Sequence, residues 1–223
     1  GDFIGYTNML INYSAYCSIN KKFGESLKTI QKLRATCKTF KKKLPQYLIV
    51  QSSFYAYLIE LDVYIWTGEF GMLNEKMNGI QLLLKKIDTE QYKVKKFSLY
   101  YNIAYLFLGL KQYKKCLLWL NKIFDLQDTD IKREIPFVKI MQLIVHFELQ
   151  SNELLPYLVR STYRYLLKNK TLYKAENYIL NFIRLKLPKI STPQQLTSAY
   201  KELLVQCKKL ERDPFERMAF AKF

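Results

Sequence analysis

His146 is the one histidine in the 223-residue chain, so proton transfer near neutral pH has a single obvious candidate. It sits in "MQLIVHFEL", residues 141–149, on a face that is otherwise apolar at helical spacing. That setting predicts a packed, hydrogen-bonded side chain, and one histidine excludes a multi-histidine metal site. Glu60 and Asp62 are two residues apart, so on a helix they do not face one another and form no carboxylate pair. "DLQDTD" (Asp125, Asp128, Asp130) suggests cation binding, but it lacks the glycine and distal glutamate of an EF-hand loop, and Lys132 and Arg133 follow at once. It reads as a polar loop with Asp130 as a helix N-cap. Cys17, Cys37, Cys116 and Cys207 form no C-x-x-C pair, which excludes the usual zinc and redox motifs. Reduced, buried thiols in a cytoplasmic protein are expected. No glycine-rich phosphate loop is present. A non-enzyme without cofactor or metal is the resulting expectation.

Binding chemistry is better represented. The chain carries 36 Lys and Arg against 19 Asp and Glu, a net charge of +17, which favours anionic partners as a class. No acidic residue lies between Glu25 and Glu60, where Lys28, Lys32, Arg34, Lys38, Lys41, Lys42 and Lys43 all fall. Lys28, Lys32, Lys38 and Lys42 are therefore candidate contacts for phosphates or an acidic partner, against the plainer alternative of a solvated helix face. In "RSTYRY", Arg160 and Arg164 stand four apart on one helix face beside Tyr163, spaced to grip a carboxylate or phosphate. The chain also has 18 tyrosines, residues suited to interfaces because the ring body is apolar and the tip is wet.

These side chains must be positioned by helices. Leu27, Ile30, Leu33, Cys37, Phe40 and Leu44 step by three or four, as do Phe54, Leu58, Leu61 and Ile65, and Leu196, Ala199, Leu203, Cys207 and Leu210. Nothing alternates with period two for long enough to require a strand. Breaks at "NKKFGES", "TGEFG", "GLKQY", "LQSNE" and "LPKISTP" predict five helix pairs: 6–20 with 24–43, 47–66 with 70–87, 91–109 with 112–125, 132–149 with 152–169, and 172–187 with 193–211. Thr192, Pro193 and Gln195 form a capping-box start for the last. No run has about 18 nearly uncharged apolar residues: Leu99–Leu110 is short and holds Asn102, and Tyr47–Trp66 holds Gln51, Glu60 and Asp62, so no membrane span is expected. "DPFERMAFAKF" opens like a further helix, with Asp213 as N-cap, Pro214 first and Glu216 completing a box. It stops while still apolar, which predicts a single domain over 1–223 that is a fragment of a longer chain.

The residues after the turns, Phe23, Phe70, Tyr113 and Asn152, are 47, 43 and 39 apart, the mark of a degenerate helical repeat. "YNIAYLFLGLKQYKKCLLWLNKIF", residues 101–124 with Tyr100 before it, resembles a tetratricopeptide repeat through Tyr100, Ile103, Ala104, Phe107, Tyr113 and Cys116; the closing proline is absent. The likeness is weaker over 10–33 and 57–80 and faint over 139–169. Residues 145–185 are similar to bacterial proteins with degenerate repeats of this kind. The resemblance implies an all-α, right-handed α-α superhelix of about five hairpins plus the start of a C-terminal helix. It also implies a concave groove lined by the first helices, where a protein or peptide binds. In that register Tyr101 and Tyr105, with Asp62, Trp66 and Glu148, face the groove, and Lys28–Lys43 faces outward. A protein-binding scaffold is the expectation; a nucleic-acid-associated repeat protein using the Lys28–Lys43 face is the alternative.

Overall fold

A computed structural model describes residues 2–87, 92–126, 134–151 and 153–210, and among these every regular element is helical. The helices are α1 (Phe3–Ile19), α2 (Phe23–Thr39), α3 (Gln46–Thr67), α4 (Met72–Lys86), α5 (Lys93–Gly109), α6 (Tyr113–Phe124), α7 (Ile135–Glu148), α8 (Leu155–Lys168), α9 (Lys174–Asn181) and α10 (Pro193–Leu210). Each lies on one of the ten segments the periodicity predicts. Asp128, Asp130, Lys132, Arg133, Asn152, Asp213, Pro214 and Glu216 lie outside the described residues. The chain divides into two compact units, residues 1–128 and 129–223.

In the first unit the pairs α1/α2, α3/α4 and α5/α6 pack within themselves, and α3 also packs on α1, α2 and α5. This explains the composition of α3. A helix buried on several sides has no polar stripe, and α3 is apolar nearly all round. It is long and apolar enough to cross a membrane by length and composition, but half of its most apolar window is buried against the protein. α6 shows the opposite pattern. Cys116, Leu120 and Ile123 are fully buried on one face, and Lys114, Lys115 and Lys122 are exposed on the other. Leu10, Ile11, Ile30, Leu33, Ala56 and Ile59 join α1, α2 and α3 in one core cluster. Between the second and third pairs the fit is close: a Cβ at Gly109 would lie 2.7 Å from the Phe70 ring, so that ring rests on the bare backbone at the end of α5.

The turns repeat more strictly than the sequence does. Each of α1, α3, α5, α7 and α8 ends with a residue in the left-handed region: Lys21 (φ 59°), Gly68 (75°), Lys111 (57°), Gln150 (54°) and Lys170 (54°). The same two hydrogen bonds close each turn. After α5, Lys111 N–H donates to the Leu108 carbonyl and Gln112 N–H to the Phe107 carbonyl, both at 2.9 Å. Lys21, Gly68, Lys111 and Gln150 stand 47, 43 and 39 residues apart, the same spacing as the post-turn residues.

In the second unit α7 packs on α8 and α9 on α10, around Ile140, Leu143, Val159, Leu166, Leu180 and Phe182. The capping box of α10 is formed: Gln195 N–H donates to Thr192 Oγ1 at 3.2 Å, and Gln195 Oε1 accepts from Ser191 N–H at 2.9 Å. The helix expected over 172–187 differs. It is α-helical only to Asn181, widens into a π turn over Phe182–Lys186, and closes in a 3₁₀ turn over Leu187–Lys189. Pro188 accounts for the change, because an α-helical path would drive its ring into the Arg184 carbonyl.

A non-glycine residue in the left-handed region carries about 1 kcal/mol of strain. Lys111→Gly is therefore expected to stabilise the chain by about 1 kcal/mol, read as a higher denaturant midpoint at unchanged slope.

Candidate functional site

α1, α3 and α5 lie side by side in the first unit, with α3 between the other two. Neither α1 nor α3 contains a lysine or arginine. On this row Tyr101 is mostly buried; its ring centroid is 6.1 Å from that of Phe97 and 6.4 Å from that of Tyr105. Burial pushes the Tyr101 phenol well above the ordinary range. Tyr105 is half-buried. Asp62 is half-buried and accepts a 3.0 Å hydrogen bond from Ser18 Oγ of α1. Burial raises its pKa, and the Ser18 hydroxyl partly offsets the shift. Trp66 is 56% exposed, with Lys21 Nζ 5.2 Å from its ring centroid. Tyr101, Tyr105, Asp62 and Trp66 thus all belong to α3 and α5, while Glu148 is exposed on α7 of the second unit.

Other aromatics on the row are as accessible as Trp66. Tyr16 (54% exposed) and Tyr47 (61%) stand in solvent, as does Tyr13, whose ring stacks on Tyr16 at 6.4 Å. The Tyr13 hydroxyl donates to the Glu25 carboxylate, and that bond pushes its pKa up to about 12. Apolar spacing finds the faces of a helix but does not say which of two apolar faces a neighbour covers. No sequence signal separates Tyr16 and Tyr47 from the packed tyrosines.

The basic run splits. Lys28, Lys32, Lys38 and Lys42 are exposed, and Lys32 Nζ lies 5.6 Å from the Tyr6 ring centroid. Arg34 turns inward instead. Its Nη2 donates to Glu60 Oε2 at 2.7 Å, its Nη1 donates to Oε1, and its guanidinium carbon lies 4.9 Å from the Tyr57 ring centroid. Glu60 is 4% exposed and also has Lys76 Nζ of α4 at 3.6 Å. The fork-to-fork geometry is the strong form of this pair.

In the second unit His146 is half-buried, with Nδ1 3.3 Å from Ser151 Oγ, and burial lowers its pKa. Arg160 and Arg164 are both exposed on α8. Arg160 Nε donates to the Pro156 carbonyl at 3.4 Å, and its guanidinium lies 5.1 Å from the Tyr157 ring centroid. All four cysteines are thiols; Cys116 is fully buried, which pushes its pKa up to about 12. Among the described residues no group of three or more His, Cys, Asp or Glu is placed to hold a metal ion.

Compared with known proteins, the chain matches no family model, no curated protein and no solved structure. Its function therefore rests on the residues themselves.

Two measurements probe the charges on α3. Removing one partner of a buried ion pair costs about 3–5 kcal/mol where the other charge is stranded, and Lys76 softens that loss here. Arg34→Met is expected to cost about 2–3 kcal/mol in denaturant unfolding, and Arg34→Met combined with Glu60→Leu is expected to recover most of it. Asp62 behaves in the opposite sense. Its raised folded-state pKa means that its contribution is fully present below the ordinary carboxylate range and is lost as pH rises through the folded value. Asp62→Asn is expected to raise the thermal midpoint at neutral pH, with the gain vanishing below about pH 4.

Proposed function

We propose that the chain is a non-catalytic adaptor. In this reading it is a right-handed superhelix of tetratricopeptide-like hairpins that binds an extended segment of a partner protein on the face of its first helices. The repeated turn geometry at spacings of 47, 43 and 39 supports the repeat reading. One observation carries the binding reading. α1 and α3 have no cation of their own and present Tyr16, Tyr47 and Trp66 to solvent, while the helical lysines of this unit lie on α2, α4, α6 and the start of α5. Aromatic anchors on helices without cations of their own, with Lys21 beside Trp66, suit a peptide, whose ordering cost a few well-packed contacts must exceed. Tyr105 and Asp62 stand at the same row, Tyr105 giving apolar surface and Asp62 a polar acceptor. The net charge of +17 steers acidic segments toward the molecule, and the aromatics hold them once there. Nucleic acid bound on the Lys28–Lys43 face is the second reading, favoured by the exposure of the lysines there. Single-strand binders interleave stacking aromatics with cations in one groove; here Tyr16 and Tyr47 stand on helices that carry no cation, while Lys21, in the turn after α1, lies over Trp66.

The test is selection from a library of random linear peptides, followed by titration of the enriched sequences by fluorescence anisotropy. Acidic peptides with aromatic or aliphatic residues are expected to be enriched, and Trp66→Ala with Tyr47→Ala is expected to weaken them about tenfold or more without changing the circular dichroism. Equal binding by that variant overturns the reading. So does co-purifying nucleic acid that Lys28→Glu, Lys38→Glu and Lys42→Glu together remove, which would move the site to α2.

A further inference from the structure

The second unit contains a cavity of about 450 Å³ that the adaptor reading does not use. Phe147 of α7, Leu155 and Val159 of α8, and Ile183 and Leu187 beyond α9 form its apolar wall. The volume falls in the range of small-molecule sites, about 300–1,000 Å³. A second cavity of about 230 Å³ shares Val159, Arg160 and Arg184 with it and adds Arg164. Three guanidinium groups therefore border one connected apolar hollow, and no acidic side chain lines either part.

The arginines make few demands on the protein. Arg184 donates to Asn181 Oδ1 at 3.4 Å and lies 5.8 Å from the Tyr163 ring centroid. Arg160 holds only the long bond to the Pro156 carbonyl and its place over Tyr157. Arg160, Arg164 and Arg184 form no ion pair with an acidic residue among the described residues. A guanidinium carries five N–H donors in a planar fork, so most of this donor capacity is unspent. Like charges gathered at the mouth of an apolar cavity repel one another until an anion arrives. The backbone points the same way. The π turn over Phe182–Lys186 is the element that puts Ile183 into the wall and Arg184 at the rim, and such turns concentrate at functional sites.

We propose that this cavity binds an amphipathic anion. Its head group, a carboxylate or a phosphate monoester, is gripped between Arg160 and Arg184 with Arg164 behind, and its unbranched apolar tail fills the space between Phe147, Leu155, Val159 and Ile183. Guanidinium forks fit both head groups in two-point fashion, and the larger part, where the tail lies, offers it no hydrogen-bonding side chain other than Arg160 and Arg184.

Titration calorimetry on the whole chain, kept below the micelle concentration of each probe, tests the site. Decanoate and decyl phosphate separate the two head groups, decanol removes the charge, decyltrimethylammonium reverses it, and acetate removes the tail. Saturable one-to-one binding of decanoate or decyl phosphate is expected, about tenfold or more tighter than decanol, with no binding of the cation or of acetate. Arg160→Gln with Arg184→Gln is expected to reduce the preferred anion's affinity by about tenfold or more; both side chains are exposed, so the fold is retained. A diazirine on the decanoate tail is expected to label the segments 155–160 and 183–188. Equal affinity for decanol and the anions overturns the proposal, as does full affinity in the double variant, labelling elsewhere, or no saturable binding of either anion.

Discussion

Glu60 is a charge in the middle of a core helix, and the first unit is arranged around satisfying it. A carboxylate taken out of water is costly unless it is paired and hydrogen-bonded. Arg34 reaches it from α2 and Lys76 from α4, so one residue of α3 ties the second helices of two successive pairs. That clasp fixes the rotation of α3 about its own axis. Tyr57 and Tyr64 fall on the same side as Glu60, while Asp62, Trp66 and Tyr55 fall on the opposite side, toward α1 and α5. The pair contributes less to net stability than to specificity, because an apolar replacement of the same shape could pack as well but would not select one rotation. The exposure of Trp66 is the other side of the same choice.

Much of this was readable from the residues. The ten helical segments follow from apolar steps of three and four, and helix ends fall within a few residues of their expected places. The Thr192–Gln195 box formed because both of its hydrogen bonds are local. The rest depended on distant contacts. Arg34 is one cation among seven in a basic run, and nothing near it in sequence reveals that Glu60, 26 residues on, would draw it inward. The left-handed turns were visible only at Gly68, because lysine and glutamine at the other four give no sign of that conformation. Tyr101 and Tyr16 look alike in sequence, yet one is packed between rings and the other stands in water.

The charge pattern gives the molecule two kinds of surface. Apolar, aromatic first helices sit beside second helices whose outer faces are cationic: Lys28 and Lys38 on α2, Lys85 and Lys86 on α4, Lys114 and Lys122 on α6. A field of this sign acts over roughly 8–10 Å at physiological salt, so it biases approach over a wide area and discriminates little at contact. The partly desolvated polar and aromatic groups are few by comparison: Asp62 with Ser18, and the half-buried ring of Tyr105. Buried thiols such as Cys116 complement this, since a raised pKa keeps them protonated and slow to react.

The π turn before Pro188 also says something about how this part of the chain can change. A π turn takes up one residue more than an α-helix would over the same path, so it has the form of an absorbed insertion. Deleting a single residue there would leave composition and hydropathy almost untouched and would let the turn run as plain α-helix, with the residues after it keeping their faces. Leu187 and Pro188 would stay in place while Ile183 and Arg184, inside the turn, would shift, so two relatives differing by one codon would share a core but differ at the edge of the hollow.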